Sequence, residues 1–96
     1  MRMVKIKGRA IDRAVFINGE RIFPHASQNI INHSPEGFAW GYLGSGPSQL
    51  ALGILLHFYQ PDQAVFNYAN LKHDLIAGLT MMEDFEVEID IDKYGK

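Results

Sequence analysis

Apolar and polar residues follow two different periods in this chain, and the switch between them divides it into strands and helices. Val4 and Ile6 alternate with Lys5, Lys7 and Arg9, the period-two pattern of a strand with one buried face. The run Ala14-Val15-Phe16-Ile17-Asn18-Gly19-Glu20-Arg21-Ile22-Phe23 reads as a hairpin, because Asn and Gly both tolerate the positive φ of a type I′ turn. Near the C-terminus Phe85, Val87, Ile89 and Ile91 alternate with Glu86, Glu88, Asp90 and Asp92, predicting a strand with one acidic face.

The middle of the chain changes period. Pro47 suits the first turn of a helix, where its missing N–H costs nothing, which makes Gly46 the N-cap and places Gln49 at the third helical position. From Leu50 to Tyr59 almost every residue is apolar, so this helix should be buried on all sides. Pro61-Asp62 opens a second helix. There Gln63, Asn67, Asn70 and Asp74 mark the solvent face, while Val65, Tyr68, Leu75, Ile76 and Leu79 lie opposite. Between the hairpin and the first helix, Pro24 to Gly37 is punctuated by Pro, Ser, Asn and Gly and reads as a long loop, with Ile30 and Ile31 pinning it to the core.

These elements predict a single α+β domain over residues 1–96: a small antiparallel sheet of about four strands packed on two helices. The N-terminal hairpin region and the C-terminal strand supply the sheet. Opposite charges on Lys5, Lys7 and Arg9 and on Glu86, Glu88 and Asp90 predict that the first and last strands are neighbours, with Val4 and Ile6 beside Val87 and Ile89 on the core side. One thin sheet and one helix cannot cover every face of the Leu50–Tyr59 helix, so a homodimer is expected.

Composition narrows the functional classes. A net charge of −2 lacks the cationic excess that general nucleic-acid binding needs. The acidic row of the last strand repeats at phosphate-like intervals, but Lys5, Lys7 and Arg9 offset it, and a solvated or cross-paired sheet face accounts for it better. The absence of cysteine removes disulfides, thiolate metal sites and cysteine nucleophiles together and fits a reducing compartment. The first residues are charged and lack an apolar signal core, and Leu50–Phe58 is far short of the roughly 20 residues that cross a bilayer. A cytoplasmic protein without a membrane span is expected.

The stretch His33-Ser34-Pro35-Glu36-Gly37-Phe38-Ala39-Trp40-Gly41-Tyr42-Leu43-Gly44-Ser45-Gly46-Pro47-Ser48-Gln49-Leu50-Ala51-Leu52 resembles a family of small uncharacterised bacterial and phage proteins with the signature HSPxGFxWGYxGSGPxQLAL. Leu43 stands where relatives often carry glycine, and Gly53 where a helix former is usual. The family is one of unknown function. The resemblance implies a context, that of accessory products of phages and mobile elements, and no activity.

Candidate chemistry centres on Gly41–Pro47. Gly44, Ser45 and Gly46 lead into a helix N-terminus, where free N–H groups favour an anion; Ser48 adds a hydroxyl, and Trp40 and Tyr42 offer stacking surfaces. The loop is no Walker motif, since Pro47 replaces the lysine, and it lacks the GxGxxG of a dinucleotide fingerprint. Close packing of Trp40 against the helix explains the same glycines without a ligand. His33 could serve as a base to Ser45 or Ser48, yet Gly44-Ser45-Gly46 is not the GxSxG elbow of a serine hydrolase. The four histidines, His25, His33, His57 and His73, show no i, i+4 pair, so neither a metal nor another cofactor is expected.

Two readings stand. The first is a non-enzymatic binding protein acting through protein–protein contact with an unidentified host protein, in the manner of a phage accessory factor directed at a host defence system. The second is a small pocket protein that holds a nucleotide or other anion at the helix start. His33, Trp40, Tyr42, Gly44, Ser45, Gly46 and Ser48 are the candidate ligand- or partner-binding residues in both.

Overall fold

A computed structural model describes residues 1–95. Four strands form one antiparallel sheet: β1 (Met3–Arg9), β2 (Ala14–Ile17), β3 (Glu20–Ile22) and β4 (Phe85–Asp90), in the order β3-β2-β1-β4. Three helices follow the hairpin, α1 (Pro24–Ile30), α2 (Ser45–Leu56) and α3 (Pro61–Asp74), and short 3₁₀ turns cover Ile76–Gly78 and Ile91–Tyr94. The α+β class holds, with one more helix than the sequence reading gives. Among the described residues no helix is long and apolar enough to cross a membrane.

The sheet follows its charge and turn signals. Asn18 (φ 49°) and Gly19 (φ 85°) make the left-handed corner of the β2–β3 hairpin. The corner is docked on β1: Asn18 N–H donates to Lys5 O at 2.9 Å, and its Oδ1 accepts from Lys5 N–H at 2.9 Å. In the β1–β4 register Val4 faces Ile89 and Ile6 faces Val87, while Lys5 faces Glu88 and Lys7 faces Glu86. The Glu86 carboxylate lies 3.6 Å from the ammonium groups of both Lys5 and Lys7. These pairs are about half exposed and contribute little each, so their main effect is to specify register.

Four expectations need correction. Residues 24–30 are helical rather than looped: Pro24 takes the first position, where it needs no donor, and the Ser27 hydroxyl donates back to Pro24 O at 2.8 Å. Of the two isoleucines expected to pin this segment, Ile31 packs against the core while Ile30 is exposed. The N-cap of α2 is Gly44, so Pro47 lies at the third helical position, still within the turn whose N–H groups have no intrahelical acceptor. On α3 the buried face is Ala64, Asn67 and Leu71, and Val65 and Phe66 are exposed. Asn67 enters that face because its amide donates to Gln63 O at 2.9 Å, one turn back.

Leu50, Ala51, Leu52, Ile54 and Leu55 of α2 are fully buried and join Val4, Ile6, Val15 and Ile17 of the sheet in one core with Phe38, Trp40, Leu71, Ile76, Ile91 and Tyr94. Thus α1, residues 38–40 and the C-terminal turn cover what the sheet and α3 leave open. The apolar excess of α2 is satisfied within one chain and by itself calls for no second copy.

One buried polar residue fastens α1 to α2. The Gln49 side chain is wholly buried, accepts from Ser34 N–H at 2.9 Å, and donates to Ser27 Oγ at 2.8 Å and to Ile31 O at 3.0 Å. Every bond of this amide is directed at the segment between α1 and residue 34, so a polar group in the core becomes a device that fixes one arrangement.

Candidate functional site

The glycines of the 41–47 loop serve close packing. Gly41 has φ 89°, and a Cβ there would lie 2.5 Å from Met81 Cα and 2.8 Å from Leu79 O. Its N–H donates to Ile76 O at 3.0 Å, tying the loop to the segment after α3. Gly46 lies against Ala39, 2.5 Å from its Cβ to the position a side chain would take, and accepts from Ala39 N–H at 3.3 Å. The Tyr42 ring covers Gly44 and turns its hydroxyl toward Gly46.

This packing leaves little for an anion at the start of α2. Pro47 has no N–H, Gly46 is buried, and the Ser48 hydroxyl is itself buried and donates to Gly44 O at 3.1 Å. Ser45 alone of the first helical residues faces solvent. His33 lies elsewhere: its ring packs on Tyr68 of α3 with centroids 5.1 Å apart. Burial, and secondarily the charge of Lys72, push its pKa below the usual histidine value, and its Nε2 is buried with no hydrogen-bond partner among the described residues. His33 and Ser48 therefore do not meet as base and nucleophile.

Trp40 and Tyr42, in contrast, line a cleft of about 720 Å³. Its walls are Ala10, Ile11 and Arg13 from the β1–β2 turn, Ala39, Trp40 and Tyr42 from the glycine-rich loop, and Met81, Met82 and Asp84 ahead of β4. Ile11 is 92% exposed, Met82 83% and Met81 54%, so three large apolar side chains stand in water around one opening. Two wall residues, Arg13 (φ 57°) and Met82 (φ 65°), hold left-handed backbone that non-glycine residues seldom adopt.

The walls are braced. The Arg9 guanidinium donates from Nε at 3.0 Å and from its terminal nitrogen at 2.8 Å to the two oxygens of Asp12, which also accepts from Ala14 N–H at 3.1 Å. That bidentate hydrogen bond holds the Asp12 carboxyl down at about 2, so the brace persists across ordinary pH. Asp84 accepts from Ala10 N–H at 2.7 Å and joins the first wall to the third. Trp40 is buried, donates from Nε1 to Glu83 O at 2.9 Å, and meets the Phe85 ring edge-on at 4.8 Å. Phe85 reaches Trp40 by filling the space that a side chain on Gly8 would occupy.

A family profile matches residues 5–94, and its description is a family of unknown function, DUF6166. The chain belongs to this family. No curated protein and no solved structure matches it. For this member of DUF6166, the sequence reading found two wall residues, Trp40 and Tyr42, and missed Ile11, Met81 and Met82. Their signal was available: Ile11 is an apolar residue set among Arg9, Asp12 and Arg13, and Met81-Met82 is an apolar pair between Thr80 and Glu83. Among the described residues no cluster of His, Asp or Glu is arranged to hold a metal ion.

Proposed function

We propose that this protein is a binding module that recognises another protein through the cleft formed by Ile11, Trp40, Tyr42, Met81 and Met82. The observation that carries this reading is the concentration of exposed apolar side chains around one braced opening. Tryptophan, tyrosine, methionine and arginine are the residue types enriched in protein interfaces, and this cleft has all four. Methionine pairs suit surfaces that adapt to a partner's shape. The left-handed backbone at Arg13 and Met82 adds support, since strain of this kind gathers where a surface is held ready for contact. A role as a cytoplasmic accessory factor of a phage or mobile element, acting on a host protein, agrees with the context that the signature over residues 33–52 implies.

The test is site-directed photocrosslinking in cells. A benzoylphenylalanine at position 82 or 11 should give one discrete protein adduct. The same probe at Phe66, exposed on α3 and not part of the cleft, should give none. Equal labelling from both faces, or no adduct from the cleft, would refute the reading.

A further inference from the structure

The four arginines differ in how their charge is met. Arg2 lies 3.7 Å from Asp92, Arg9 is bonded to both oxygens of Asp12, and Arg21 stacks 4.7 Å over the ring of Phe23. Arg13 has no ion pair, hydrogen bond or ring contact among the described residues, and it is the arginine that lines the cleft. The acid of the same cleft does not complement it in kind. Asp84 accepts the Ala10 N–H, and its charge helps raise the Arg9 pKa, behind the larger effect of Asp12. The cleft thus presents an apolar centre with one free five-donor cation at its edge.

A partner seated on this centre draws water away from Arg13. Its donors then lose hydrogen bonds unless the partner supplies acceptors, and a carboxylate satisfies two of them at once in fork geometry. We therefore propose, resting on the cleft reading above, that the partner segment is a peptide in which a bulky apolar side chain is accompanied by a nearby Asp or Glu. The apolar side chain enters between Met81, Met82 and Tyr42, and the carboxylate pairs with Arg13.

Trp40, the chain's single tryptophan, lines the cleft and so reports its occupancy by fluorescence. A random dodecapeptide display library is selected against the protein, and recovered peptides are synthesised and titrated against the wild type, Arg13→Gln, Arg13→Lys and Met82→Glu. The expected result is enrichment of acidic residues beside aromatic or aliphatic ones, with a change in Trp40 emission on binding. Arg13→Gln should weaken binding by about fivefold, the upper range for an ion pair at an exposed rim, and Arg13→Lys by less. That difference should shrink at about 0.5 M salt, where screening is strong. Peptides lacking acids, or equal binding to Arg13→Gln while Met82→Glu binds poorly, would overturn the proposal and leave the cleft reading standing. Binding unaffected by Met82→Glu, or no peptide selected at all, would overturn both.

Discussion

Replacing Gly41 by alanine should cost far more than the same change at Gly19, although both glycines sit at nearly the same positive φ, 89° and 85°. Each substitution places a Cβ in left-handed backbone, a penalty of about 1–2 kcal/mol. Each also removes unfolded-chain freedom, which returns about 0.4–1 kcal/mol. These contributions cancel in the comparison. What differs is the space. A Cβ on Gly19 meets nothing within 4 Å, whereas a Cβ on Gly41 runs into backbone atoms of Met81 and Leu79 that no rotamer change can move. Forcing the segments apart should add about 1–3 kcal/mol, the scale of overpacking. Gly41→Ala is therefore expected to lose about 2–4 kcal/mol, and Gly19→Ala about 1 kcal/mol or less. Gly78, with open space and no positive φ, is the third arm: its alanine variant should gain about 0.4–1 kcal/mol. A domain of this size is stable by roughly 5–14 kcal/mol, so the Gly41 loss is large enough to measure accurately. Urea unfolding followed by far-ultraviolet circular dichroism gives the three values at constant slope. If Gly41→Ala falls no further than Gly19→Ala, the approach of residues 79–81 to the loop does not hold the cleft's third wall in place, and the account of that wall is wrong.

Two further outcomes follow from the buried polar groups. Gln49→Leu keeps the volume but strands Ser34 N–H and takes one donor each from Ile31 O and Ser27 Oγ, which keep their bonds to His33 N–H and Pro24 O, so a loss of about 1–3 kcal/mol is expected in denaturant titration, with faster amide exchange at Ser34; stability within experimental error of the wild type would show that the amide is not the fastener. His33 has its pKa lowered by burial, so the folded state favours the neutral ring, and the stability this gives is present above the unfolded value near 6.5 and is lost as pH falls through the lower folded value. Melting temperatures from about pH 8 to about pH 5 should therefore fall more steeply for the wild type than for His33→Gln; parallel curves would refute the assignment.

The features legible in the sequence are those set by short-range rules or by one-dimensional patterns. Asn18-Gly19 carries its turn chemistry in two residues, and the alternation on β1 and β4 states which side chains share a face, so the adjacency of these two strands, with Val4 and Ile6 beside Val87 and Ile89, is legible from charge and apolar pattern together, although Arg9 turns to Asp12 instead of to β4. Helix α1 was hidden because His25, Ala26, Ser27, Gln28 and Asn29 have no amphipathic period strong enough to announce a helix. What stabilises it is tertiary: Gln49, 22 residues beyond Ser27 and 18 beyond Ile31 in sequence, bonds both. The rotation of α3 is hidden for a related reason. Residue type and spacing place Asn67 on the solvent face, whereas its side chain bonds within its own helix and so can be buried.

The cleft shows the same limit at the level of function. Its walls come from residues 10–13, 39–42 and 81–84, and no window of sequence contains them together. Each wall is a short connecting segment with an exposed apolar or aromatic residue, a pattern that reads as incidental exposure when taken singly. The glycine-rich loop is unusual in composition, and close packing accounts for that composition. Gly41 lets Met81 approach, and Gly8 lets Phe85 reach Trp40, so the glycines build the floor on which the apolar wall residues converge. Glycine here marks where backbone and rings must come close, and the recognising surface is the set of larger side chains that this closeness gathers. It follows that substitutions on the glycines should act on binding through folding and cleft shape together. Substitutions at Ile11, Arg13 and Met82, which are exposed, should change binding with stability nearly intact. That separation distinguishes a braced docking surface from a loop whose glycines touch the ligand themselves.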